Sequence, residues 1–196
     1  MARIVKAKEL RSKKTVALAR WLLGKHLIRR RGGKFTAWMI TEVEAYHGES
    51  DLACHARVGR TARTAVMYEP GGVWYVYLVY GVHEMLNLVV GPRDWPAALL
   101  IRGVESVAGP GRVTKTLRID RRLNAKLATR ASGLWLEDHG VRVPSRLIAA
   151  TPRVGVDYAG PIWAKKPWRF TFDPRAVKSP PEKLRRPKSQ TTLRRA

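Results

Sequence analysis

Residues 73–80 read VWYVYLVY, eight consecutive apolar or aromatic side chains closed by Gly81. A run that is apolar at odd and even positions alike leaves no face for water, so it reads as a central strand covered on both sides. Gly81-Val82-His83-Glu84 breaks it, and Met85–Val90 reads as the returning strand of a hairpin. A third strand, Ala97–Val104, follows the turn at Gly91-Pro92-Arg93-Asp94. Upstream, a helix over Thr15–Leu23, with Thr15 or Ser12 as its cap, stops at Gly24. A second hairpin then pairs His26–Arg30 with the long strand Lys34–Tyr46 around Arg31-Gly32-Gly33. Residues 47–72 are irregular, and a loop of that length in a compact domain usually carries function. Downstream, Gly109-Pro110-Gly111-Arg112 opens a helix ending near Ile119, and short strands are expected at 135–137, 153–157 and 168–172.

The 196 residues, 45% of them hydrophobic, suffice for one domain with a real core. That domain is expected over residues 1–172. From Asp173 to residue 196 the composition turns to Pro, Lys, Arg and Ser, which predicts a basic, disordered tail. No apolar run approaches the roughly 20 residues that span a bilayer, and the first fourteen residues lack the apolar stretch of a secretory leader. A soluble, cytoplasmic or nucleoid-associated monomer is expected. The formal net charge of +23 is the loudest global signal, because such self-repulsion usually serves a polyanion, and phosphate backbones are the usual one. The single cysteine, Cys54, excludes an internal disulfide, and no HExxH or repeated CxxC spacing marks a metal site.

Three groups of residues could carry chemistry. In the strand Ile40–Tyr46, period 2 puts Glu42, Glu44 and Tyr46 on one face. Two partly desolvated carboxylates about 7 Å apart by strand rise would raise one another's pKa, and one could then take a proton from water. The same pattern also fits two glutamates paired with arginines in a structural network, and on this strand alone that reading is favoured. Tyr75 and Tyr77 share a face, while Tyr80 abuts the turn, where an aromatic on a basic protein suggests a wedge between stacked bases. Core packing is expected for Trp74 and Tyr75. Arg102 ends an apolar run and needs a carboxylate or phosphate, and Asn87 inside its strand needs hydrogen-bond partners.

In order along the chain, TEVEAYHGESDLACHARVGRTAR, MYEPGGVWYVYLVYGVHEMLNLVV, LLIRGVE, GPGRVTKTLRID and TPRVGVDYAG…KPWRF resemble the alkyladenine (3-methyladenine) DNA glycosylases over roughly residues 10–172. The resemblance implies a single α+β domain with a curved, mainly antiparallel sheet, flanking helices and a protruding hairpin that intercalates into DNA. It implies hydrolysis of damaged purine nucleotides in double-stranded DNA, with no metal or organic cofactor. By position, Glu44 would activate the attacking water and Arg102 would help hold it. Tyr46 and Tyr77 would stack on the flipped base, His55 would line the pocket, and Asn87 would discriminate against guanine's amino group. Tyr80 would fill the gap left in the duplex. Glu42 matches no catalytic position. Thr64, Glu69, Gly71 and Val73 depart from residues common in bacterial members. A non-enzymatic basic nucleic-acid-binding module is the alternative; it accounts for the charge but not for the order of these motifs.

Overall fold

The computed structural model describes residues 2–177. Ten strands are present among them: β1 (Arg3–Ile4), β2 (His26–Arg31), β3 (Lys34–His47), β4 (Trp74–Val79), β5 (His83–Val90), β6 (Ala97–Val104), β7 (Val107–Ala108), β8 (Leu134–Asp138), β9 (Ala149–Thr151) and β10 (Arg169–Thr171). The helices are α1 (Thr15–Leu22), α2 (Pro110–Leu117) and α3 (Gly160–Ala164). The strands run in the order β1-β8-β2-β3-β6-β5-β4, with β10 joining β3 to β9 and β7 beside β6. Every named pairing is antiparallel, so this is a single α+β domain.

The hub of the sheet is β3, not the strand of residues 73–80. Its fourteen residues are long enough to pair with β2 over residues 34–39 and then with β6 and β10 on its two edges. By contrast, β4 ends the strand order, and it is covered without being central. Its free edge is met by the loop 124–127, where Trp74 N–H donates to Lys126 O at 2.8 Å and Val76 N–H to Asn124 Oδ1 at 3.0 Å. Burial pattern reports cover, not sheet position, so an apolar run cannot tell a central strand from a covered edge.

Strand alternation then sorts the side chains. Val43, Ala45, Trp74, Val76, Leu86, Leu88, Leu99 and Ile101 face one way, into the main core with α1 and α2. Helix α1 buries Thr15, Leu18, Ala19 and Leu22, the i, i+3, i+4, i+7 stripe of an amphipathic helix. It stops where expected: Gly24 takes φ +79°, and a Cβ there would come within 3.0 Å of Val141. On the opposite face Tyr75, Val89 and Ala98 pack with Cys54, Ala56, Val66 and Met67 from the long 47–72 segment, folded into two short 3-10 turns. That segment is therefore a lid over one face of the sheet.

Two expected elements differ. Residues 153–157 form no strand, because their groups are spent on the site described below; β9 lies just before them. At the far end, Asp173 caps a 3-10 turn at Pro174–Ala176 and Val177 packs against the core. Residues 178–196, the rest of the expected tail, lie outside the described residues. No helix among the described residues is long and apolar enough to cross a membrane.

Candidate active site

The lid face of the sheet leaves a cavity of about 570 Å³, bounded by Tyr46, Tyr77, His55, Asn87 and Arg102 together with Val154 and Gly155. Five residues singled out from the sequence thus meet at one place, although they come from β3, β4, β5, β6 and a 3-10 turn. Tyr80 reaches the cavity rim from the hairpin tip.

Glu44 stands one layer behind this wall and its side chain is wholly buried. Three groups that do line the cavity or its rim hold it. The Val154 N–H donates to Oε1 at 2.8 Å, and the Tyr46 hydroxyl donates to Oε2 at 2.9 Å. The Arg102 Nε lies 3.4 Å from Oε1. Burial pushes the Glu44 carboxyl above its usual range, against the opposing pull of Arg102 and the two hydrogen bonds; Glu42 adds only a small upward push. Desolvation, and not the neighbouring carboxylate, is thus the main cause. Burial and Glu44 together drive the Tyr46 hydroxyl well above its ordinary value, so it remains a donor.

The arginine-network reading of the glutamate pair fits Glu42, and burial rather than mutual repulsion raises Glu44. Glu42 is the arginine partner: its Oε1 accepts from Arg102 Nε at 3.0 Å and from Arg169 Nε at 2.6 Å. This close approach depends on Gly103, where a Cβ would sit 2.9 Å from the Glu42 Cβ. The strand register slips around Glu42 and Gly103, which brings Arg102 across to both carboxylates.

The aromatic wall is braced by polar contacts. His55 Nδ1 is 2.9 Å from the Tyr75 hydroxyl, and the His55 ring lies edge-on to Tyr77 with centroids 4.6 Å apart. Burial, with Arg63 and Arg57 nearby, pushes the His55 pKa down to about 4, so the ring is neutral at physiological pH. Asn87 is buried and donates through Nδ2 to Tyr75 O at 3.2 Å. Tyr46 is backed by Arg153, whose guanidinium lies 4.8 Å from the ring centroid. Arg153 is wholly buried and pairs with Asp51 through both Nη atoms, at 2.5 and 2.9 Å. Asp51 also accepts from the backbone of His47 and Ala53, so one ion pair ties the lid to the 153–157 loop.

At the hairpin tip, Val82 N–H donates to Val79 O at 3.1 Å, closing a turn in which Tyr80 takes φ +51° and Gly81 φ +70°. Tyr80 is 92% exposed and Val82 72%. A tyrosine held in the left-handed region, with its ring in solvent, is costly to the fold and offers it no packing in return.

Several residues escaped the sequence reading. Tyr75 was expected only in the core; it is buried, yet it lines the cavity and fixes His55, as its period-2 relation to Tyr77 could have suggested. Arg153 and the Val154 amide lie in TPRVG, a motif whose residues had no role from spacing alone. Arg63, whose guanidinium lies 5.2 Å from the Tyr77 centroid, left no local signal. Cys54 is fully buried and its thiol is pushed up to about 12, so it offers no nucleophile. Among the departures, Gly71 has a sharp cause: a Cβ there would meet Leu10 O at 2.4 Å.

A family model described as Methylpurine-DNA glycosylase matches residues 9–109 and 105–176. This chain belongs to that family. It is a DNA glycosylase, an N-glycosyl hydrolase of alkylated-purine repair, and the non-enzymatic alternative falls. An Anaeromyxobacter sp. (strain Fw109-5) protein provisionally named a 3-methyladenine DNA glycosylase is 43% identical over 180 residues, covering 88% of this chain and 91% of its own. A Myxococcus xanthus protein with the same provisional name is 43% identical over 184 residues, covering 88% and 93%. One from Methanocella arvoryzae is 42% identical over 176 residues, covering 80% and 86%.

Proposed function

We propose that this glycosylase acts as a monomer on double-stranded DNA, flips alkylated or deaminated purines such as 3-methyladenine into the cavity, and hydrolyses the N-glycosidic bond with a water activated by Glu44. The observation that carries this reading is the wholly buried Glu44 carboxylate, held behind the cavity wall by Tyr46, Val154 and Arg102.

In this reading the flipped base lies between Tyr46 and Tyr77. The π faces of those rings favour a base made cationic by alkylation, and a damaged base unstacks at lower cost than an intact one. Asn87 and His55 meet its edges. Tyr80 enters the gap that the base leaves in the duplex, a use that accounts for an exposed ring on a strained turn. The water sits between Arg102 and the Tyr46 hydroxyl. Its oxygen bonds to C1′ through an oxocarbenium-like transition state, and Glu44 takes its proton. The glycosidic electron pair leaves with the base, so a cationic alkylated base departs neutral, whereas a deaminated base needs a proton of its own. An abasic deoxyribose remains.

Glu44→Gln tests this directly. Release of free bases from methylated duplex DNA should fall by about 10²–10⁴-fold, the usual contribution of a positioned general base, while lesion binding persists. Unchanged release sinks the assignment. A lysine-based lyase would instead be trapped on DNA by borohydride; among the described residues no lysine lines the cavity. Sedimentation at assay concentration checks the monomer.

A further inference from the structure

Arg102 and Glu44 are joined to a second pair of charges that the reaction above does not use. Arg102 lines the cavity, and its Nε is held from behind by Glu42 Oε1 at 3.0 Å. The same Oε1 accepts from Arg169 Nε at 2.6 Å, on β10 at the opposite edge of β3. Among the described residues no hydrogen bond engages the terminal amino nitrogens of Arg102. Gly103 is what lets Glu42 come this close, since any larger residue would drive a Cβ into it.

We propose that Glu42 and Arg169 form a positioning clamp for the excision reaction: Glu42 draws the Arg102 guanidinium back from Glu44 and aims its free end into the cavity, and Arg169 sets how strongly it does so. This rests on the assignment of Glu44 as base. The physical reason is charge division. A lone arginine 3.4 Å from a buried carboxylate would neutralise it and hold it as a poor base. With its Nε given to Glu42, Arg102 keeps Glu44 ionised without absorbing its proton affinity. Arg169 competes for the same Glu42 oxygen, so each guanidinium weakens the hold of Glu42 on the other.

The groups that face Glu44 are few. Arg102 comes from β6, Glu42 and Tyr46 from its own strand, and Arg169 from the β10 position paired with it. Arg153 and the Val154 amide come from the loop after β9, and Tyr77 from β4. Removing the Glu42 charge leaves Arg102 and Arg169 uncompensated beside Glu44. Removing the Arg169 charge leaves Glu42 wholly to Arg102 and takes one cation away. The two changes therefore push Glu44 in opposite directions, which a packing role for either residue would not do.

The experiment is single-turnover base release from duplex DNA methylated with dimethyl sulfate, followed across pH for the parent, Glu42→Gln and Arg169→Met. Since the base must be ionised to work, the rate rises with pH through the Glu44 titration. Glu42→Gln should move this acid limb to lower pH and slow the plateau on the order of 10- to 100-fold, as expected for a misplaced catalytic group. Arg169→Met should move the limb to higher pH with a smaller change in plateau. Limbs that stay put, or that move the same way in both variants, overturn the clamp. If Glu42→Gln does not fold, Arg169→Met decides alone, and an unmoved or lowered limb overturns the proposal. Glu44→Gln run beside them keeps the two ideas apart: activity in that variant breaks the base assignment, whereas an inactive Glu44→Gln with unmoved limbs elsewhere breaks only the clamp.

Discussion

On one face of β4, Trp74 and Val76 close into the main core; on the other, one residue away, Tyr75 and Tyr77 bound a cavity. The same contrast runs across β3, where Val43 and Ala45 oppose Glu44 and Tyr46, and across β6, where Ile101 opposes Arg102. Both faces are buried, but by different means. The core face is covered by α1 and α2 and is filled mainly by apolar side chains. The lid face is covered by the 47–72 segment and the 153–157 loop, and its polar side chains are held by named bonds: Glu44 by three groups, Arg153 by Asp51, His55 by Tyr75. A sheet can thus keep stability and chemistry on opposite sides of one backbone, so the two should be separable by substitution.

The largest break in that comparison should come from Trp74→Ala. Its ring is wholly buried and its Nε1 donates to Leu134 O at 3.0 Å, so removing it should destabilise the protein by about 3–5 kcal/mol in chemical denaturation. Glu44→Gln, on the other face, should leave the denaturation midpoint nearly unchanged while abolishing release; a midpoint shift as large as that of Trp74→Ala would erase the distinction. Gly103→Ala falls between them. Its Cβ would press on Glu42 at 2.9 Å, costing about 1–3 kcal/mol and slowing base release as Arg102 shifts. Unaltered release at reduced stability would show that Gly103 serves packing alone.

Tyr80→Gly should sharpen the contrast by having opposite signs. Relieving φ +51° should stabilise the fold by about 1 kcal/mol, while lesion-specific binding weakens. Equal binding by parent and variant would remove the wedge. The smallest effect concerns pH. His55 has a folded pKa lowered to about 4 from an ordinary 6.5. Its neutral form is therefore favoured in the folded state, and the stability this contributes is present above about pH 6.5 and lost as pH falls toward 4. His55→Gln should flatten part of that acid loss in melting experiments, and identical slopes would count against a buried, neutral His55.

By itself the sequence determined most of the longer elements and which residues share a face, but not which face of 73–80 or 97–104 points to the core, nor the short strands β1, β7 and β9. The shared faces of Tyr75 with Tyr77 and of Glu42, Glu44 and Tyr46, and the i, i+3, i+4 stripe of α1, follow from local geometry, and the turn glycines at 24 and 81 follow from backbone sterics. The ordered motifs also named Tyr46, His55, Tyr77, Tyr80, Asn87 and Arg102, which the fold brings to one cavity and its rim, and Glu44, which it buries just behind the cavity wall. Periodicity could not place β4 at the end of the strand order, because a covered edge and a central strand bury the same residues. Nor could it divide the labour between Glu42 and Glu44. That division depends on Arg102, Arg169 and Val154, which lie 60, 127 and 110 residues away along the chain from the glutamates they touch. Charge pairing and burial are set by what surrounds a group in space, so only the tertiary structure could decide which carboxylate takes both arginines and which is wholly buried behind the cavity wall.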